Sequence, residues 1–197
     1  MKIILAILTL FFAGAAYYYY DANEKTAKEN ESKIENISNE KEDEITQLKG
    51  TFAELLTDME EEIEQGQIKI TQLSDRLSVV MIDKVLFPSG EAEITPEGLL
   101  ILERVGNVLK NTNNKIIRVE GHTDNKKIHK NLQTTFPTNW ELSTARATNV
   151  VRILQERVGI EGNLLQSIGM SEYHPVATND TPEGRSQNRR IDIALLP

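Results

Sequence analysis

Residues 115–127 read KIIRVEGHTDNKK. Ile116, Ile117 and Val119 have the β-branched composition of a strand, and Gly121 closes it just before a histidine and an aspartate set two residues apart, His122 and Asp124. Three further stretches share the strand texture: VVMIDKVLF (79–87), NLLQSIG (163–169) and RIDIALL (190–196). Two amphipathic helices fit between these strands. Thr95 as N-cap and Pro96 at the first helical position announce one, which runs through Leu99, Leu102, Val105 and Leu109. The other spans residues 143–158, with Ser143 as its N-cap, Ala147, Val151, Leu154 and Val158 on one face and Gly159 as its stop. Strands alternating with helices predict a two-layer α/β domain with a four-stranded sheet over residues 79–197.

The chain has 197 residues, 39% of them apolar, which suffices for one core plus something elongated. It has no cysteine, which excludes disulfides, thiolate zinc sites, thiol catalysis and lipidation of an N-terminal cysteine. The net charge of -8 is unevenly placed: residues 21–76 hold 16 acidic and 7 basic side chains, and residues 77–197 hold 14 of each. A neutral domain lacks the basic footprint of a nucleic-acid binder.

Residues 21–78 are expected to form a coiled-coil stalk. Ile45, Leu48, Phe52, Leu55 and Met59 recur at heptad spacing, and after a four-residue slip the pattern resumes through Ile63, Ile70, Leu73, Leu77 and Val80. The competing reading is a single amphipathic helix lying on the domain. The helix is expected to weaken near Gly66. A self-associating stalk predicts a homodimer, and at 1.5 Å per residue such a helix would reach on the order of 80 Å. Residues 1–20, a lone Lys2 followed by an apolar run and four tyrosines, read as a membrane anchor with a periplasmic domain beyond it. The alternative is a signal peptide cleaved at Ala13-Gly14-Ala15, which would release the protein into the periplasm.

His122 and Asp124 do not read as a metal site, because His129 and His174 stand at no familiar ligand spacing from them. No G-x-S-x-G elbow supports hydrolysis. With Ser143 as N-cap, Arg146 would occupy the third helical position, where a cation opposes the helix dipole. Arg146 then either pairs with Glu141 and covers the surface, or joins the helix end in receiving a carboxylate while Asp124 receives an ammonium group on the same ligand.

VEGHTDN, NWELSTARA and SIGMSEYHPVATNDTPEGRSQNRRIDI are similar, in order and spacing, to the signature of the OmpA-like C-terminal domain family. FPTNWELS (136–143) resembles its MotB-type branch, which has a longer loop before the arginine. The resemblance implies a mixed sheet with helices on one face and a noncatalytic module, without cofactor, that grips the meso-diaminopimelate of the peptidoglycan stem peptide. It maps the binding pair onto Asp124 and Arg146 and the loop asparagine onto Asn139, and gives Thr123, with Arg189 or Arg190, as further contacts. Gly121 is expected to turn the backbone into the pocket, and RSQNRR (185–190) to be mainly structural. MotB proteins carry an ion-conducting aspartate in their membrane helix, and residues 3–20 contain no carboxylate. Two roles follow: a tether between membrane and cell wall, and a peptidoglycan-binding subunit of a larger envelope machine.

Overall fold

The computed structural model describes residues 2–72, 76–112 and 115–196, with backbone alone for residues 2–11. Most side chains of the expected anchor therefore lie outside the described residues, as does Leu73 of the expected seam. Among the described residues no helix is long and apolar enough to cross a membrane.

The chain divides into two compact units, Met1–Ile45 and Thr46–Pro197. In the first, helix α1 (Lys2–Asp58) exposes Tyr17, Tyr18, Tyr19, Tyr20, Ile34 and Ile37. The second unit begins with the last turns of α1 and the short helix α2 (Glu60–Glu64). The expected stalk is one long helix as far as Asp58. Leu48, Leu55 and Met59 are buried in the domain core with Phe52 and Ile63 packed against it, so most of the heptad seam is covered by the chain's own domain. The compact unit that holds the sheet begins at Thr46. Gly66, at φ +67°, ends the helical run, and its backbone turns the chain into strand β1 (Ile68–Gln72). The second half of the expected heptad pattern is consequently extended: β1 pairs antiparallel with β2 (Leu77–Ile82), Ile68 opposite Met81 and Ile70 opposite Val79.

Five strands, one more than expected, form a mixed sheet in the order β1-β2-β5-β3-β4. β5 (Arg190–Leu196) lies antiparallel between β2 and β3 (Ile116–His122), while β4 (Leu165–Ser171) runs parallel to β3. One face supplies the core: Leu77, Val79 and Met81 of β2, Ile191, Ile193 and Leu195 of β5, and Ile117 and Val119 of β3. Helix α3 (Asp83–Leu86), helix α4 (Pro96–Lys110) and helix α5 (Asn139–Ile153) contribute Leu86, Leu102, Val105, Leu109, Ala147 and Val150 from the other side. Thr95 caps α4 as expected, accepting the Gly98 amide at 2.9 Å.

Helix α5 is the crossover that makes β3 and β4 parallel neighbours, and it lies hard against both. Gly121 permits this: a Cβ there would stand 2.2 Å from the Ser143 carbonyl oxygen. Its role is close helix packing, not the backbone turn expected of it. Helix α6 (Pro182–Asn188) precedes β5.

Candidate ligand-binding site

The crossover helix starts five residues earlier than its apolar face announced. Thr138 is the N-cap: its hydroxyl oxygen accepts the Trp140 amide at 3.1 Å, and Glu141 reaches back to accept the Thr138 amide at 2.8 Å. This is a capping box, T-x-x-E, and it occupies Glu141. Arg146 accordingly lies in the body of α5, not at the third position. Its partner is neither Glu141 nor the helix end.

Arg146 is buried and donates from Nη1 to Asp83 Oδ1 at 2.7 Å and from Nε to the Glu91 carbonyl at 2.7 Å. Its guanidinium stands 4.9 Å from the centroid of the Phe87 ring, a cation–π arrangement that holds the fork flat. Asp83 is the first residue of α3, at the end of β2. Burial pushes its carboxyl up to about 6 even though Arg146 and Arg189 pull it down. Burial likewise lowers the Arg146 guanidinium from its ordinary value, opposed by Asp83.

Asp124 follows β3 and is also buried. One carboxylate oxygen accepts the Lys126 amide at 2.9 Å, closing a tight Asx turn, and the other meets Arg189 Nη1 at 2.5 Å. Two acid–base pairs, Asp83–Arg146 and Asp124–Arg189, thus line one cavity of about 750 Å³. Thr123, Asn139, Leu142 and Phe87 complete its inner wall, and Lys84, Lys126 and Lys127 stand around it. Five cationic side chains against two carboxylates give the cavity a positive balance. Such a cavity favours an anionic or multiply carboxylated ligand.

Asn139, the first residue of α5, ties the walls together. Its amide donates to the Asp124 carbonyl at 3.2 Å, the Lys126 carbonyl at 3.1 Å and Glu172 Oε2 at 2.7 Å. Thr123 is held by its own amide, donated to the Ser171 carbonyl at 2.9 Å, while its buried hydroxyl has no hydrogen-bond partner among the described residues. Ser171, at φ 53°, donates its amide to the Ser143 hydroxyl oxygen at 3.1 Å, which locks the end of β4 to α5. His122 is buried behind this wall, 3.6 Å from Glu120, whose carboxyl it holds below the usual range.

Four of the five expected site residues, Thr123, Asp124, Asn139 and Arg146, therefore line one cavity. Arg190 does not. Its guanidinium is buried and donates to the His174 and Asn188 carbonyls at 3.3 and 3.4 Å, bracing the segment before α6. Its neighbour Arg189 faces the cavity instead, because successive side chains at the start of β5 point to opposite sides of the sheet. Asp83 was missed altogether. Asn188 extends the structural role of RSQNRR: it accepts the Val176 and Ala177 amides at 2.8 and 3.0 Å and donates to the Ala177 carbonyl at 2.9 Å.

The model of the OmpA family matches residues 86–189, from the last residue of α3 to Arg189. The chain belongs to the OmpA family. This OmpA-family chain is 36% identical over 133 residues to "Motility protein B" of Bacillus subtilis, covering 68% of itself and 50% of that protein. It therefore spans about half of that relative's length. Among solved structures it is similar to the cell wall anchor of the T6SS from Pseudomonas aeruginosa, at TM-score 0.66 and 31% identity, over 72% of this chain and 96% of the other. A putative MotB like protein from Desulfovibrio vulgaris superposes at TM-score 0.71 and 26% identity, over 79% of this chain and 94% of the other.

Proposed function

We propose that this protein is a noncatalytic peptidoglycan-binding protein of the cell envelope, and that its cavity grips the diaminopimelate of the stem peptide. The observation that carries this is the pair of salt bridges, Asp83–Arg146 and Asp124–Arg189, set in one positively balanced cavity. Diaminopimelate bears an ammonium and a carboxylate on one terminal carbon. Arg146 uses Nε and Nη1 internally, which leaves Nη2 to donate to the ligand carboxylate. The carboxylate of Asp124 suits the ammonium. Both ligand charges then meet groups already held in place by their internal partners, which limits the ordering cost of binding. The similar solved structure called a cell wall anchor supports this reading.

The protein acts as a tether between membrane and wall. Residues 1–20 serve as a single-pass inner-membrane anchor and the OmpA-family domain lies in the periplasm. The similarity to Motility protein B and to a secretion-system anchor favours a second role, the peptidoglycan-binding subunit of a larger envelope machine. Self-association belongs to the same proposal, but its basis has narrowed to the exposed Ile34, Ile37 and Ile45. Sedimentation of the intact protein across a concentration range tests it, and a monomer throughout ends it.

Purified sacculi test the binding reading. The protein is expected to sediment with sacculi that carry diaminopimelate, and Asp124→Ala to remain in the supernatant with an unchanged circular dichroism spectrum. Co-sedimentation of the variant at the wild-type level would contradict the proposed grip.

A further inference from the structure

Beside the cavity, Trp140 on the first turn of α5 and Tyr173 just after β4 stack with ring centroids 5.5 Å apart and planes 29° from parallel. Both are exposed, Trp140 by 47% and Tyr173 by 64%. Two large aromatic rings left in water lose the burial that normally recruits them, and neither serves the core. They border a second hollow of about 300 Å³, lined also by Pro137, Thr138 and Glu172. This hollow shares Asn139, Lys127 and Ile128 with the charged cavity, so the two are contiguous.

We infer that the Trp140–Tyr173 stack is a sugar-binding subsite that takes a pyranose ring of the glycan strand while the charged cavity holds the stem peptide. The inference rests on the proposed peptidoglycan reading and adds its second contact. A pyranose presents a face of C–H bonds with partial positive charge, which matches the negative face of an aromatic ring. The rings come from two different elements. Asn139 fixes their relation: it belongs to the same first turn as Trp140 and donates to Glu172, the neighbour of Tyr173, at 2.7 Å. Glu172 adds a carboxylate beside the rings that can accept from sugar hydroxyls and acetamido N–H groups. A stem peptide is joined to its sugar through a short chain, so a ligand seated in the first cavity would bring its sugar to an adjacent subsite.

Calorimetric titration of the full-length protein with two probes tests this: a diaminopimelate stem peptide carrying its disaccharide, and the same peptide without sugar. Wild type is expected to bind the disaccharide form roughly five- to tenfold more tightly. Trp140→Ala and Tyr173→Ala should each bring that ratio to about one and leave affinity for the free peptide unchanged, whereas Trp140→Tyr should keep much of it. Because the two side chains are exposed and lie on different elements, agreement between the two alanine variants separates the subsite from a folding defect. A ratio retained in both, or a wild type that gains nothing from the sugar while binding the free peptide, overturns the subsite alone. A wild type that binds neither probe overturns the peptidoglycan reading with it.

Discussion

Arg146 holds Asp83, not Asp124: its Nη1 stands 2.7 Å from Asp83 Oδ1, while Asp124 is held by Arg189. The two residues expected to act as one acid–base pair thus each belong to a different pair in the same cavity. This changes what deletion does. Arg146→Ala leaves Asp83 buried without its cation, and breaking such a pair costs about 3–5 kcal/mol. The double variant Asp83→Asn/Arg146→Ala should recover much of that loss in denaturant titrations, since it removes the stranded charge.

The Asp83 carboxyl also predicts a pH dependence. Its folded value, about 6, lies above the unfolded 3.8, so between the two the folded state holds a proton that the unfolded chain has lost. Its contribution to stability is therefore full below about pH 4 and declines as pH rises through 6. Between pH 4.5 and pH 7 the wild type should lose roughly 2 kcal/mol that Asp83→Asn does not lose. Identical pH profiles of the two proteins by chemical denaturation would contradict this assignment.

Arg189 and Arg190 are adjacent, yet they should separate cleanly. Arg189→Ala removes a partly exposed partner of Asp124 and is expected to weaken binding to sacculi at least tenfold with little effect on stability. Arg190→Ala strips two donors from the His174 carbonyl and should lower stability by about 1–3 kcal/mol, with retained binding once the protein is folded. Thermal unfolding and sacculus binding measured on the same samples distinguish them.

The end of the long helix is part of the core, and this too can be tested. Leu55 is fully buried, so Leu55→Ala should cost about 2–5 kcal/mol of domain stability. A self-associating stalk would instead show stability that rises with protein concentration. A concentration-independent loss is expected in equilibrium unfolding.

The sheet and the cavity were legible to different degrees. KIIRVEG and RIDIALL read as strands because their β-branched runs are short and bounded, and Thr95-Pro96 marked its helix because cap and proline act locally. The strand IKITQ escaped because Ile70, Leu73, Leu77 and Val80 also fit a helical spacing; the period-two alternation of Ile68 and Ile70 after Gly66 was the signal for it. The start of α5 was misplaced because Ser143 is itself a good N-cap type, although T-x-x-E at Thr138 and Glu141 was present. Asp83 carries no local mark at all. It meets Arg146 only when β2 and α5 come together, and pairing between distant elements leaves no trace in spacing.

The measurement that bears most directly on the account is calorimetric titration of the intact protein with two sugar-free stem tripeptides that differ only at the third residue, one with meso-diaminopimelate and one with lysine. Lysine lacks the terminal carboxylate that Arg146 would receive, which leaves its Nη2 without a partner. The account predicts binding of the diaminopimelate peptide at least tenfold tighter than the lysine peptide, a difference of about 1.4 kcal/mol or more. Equal affinity for the two would contradict it.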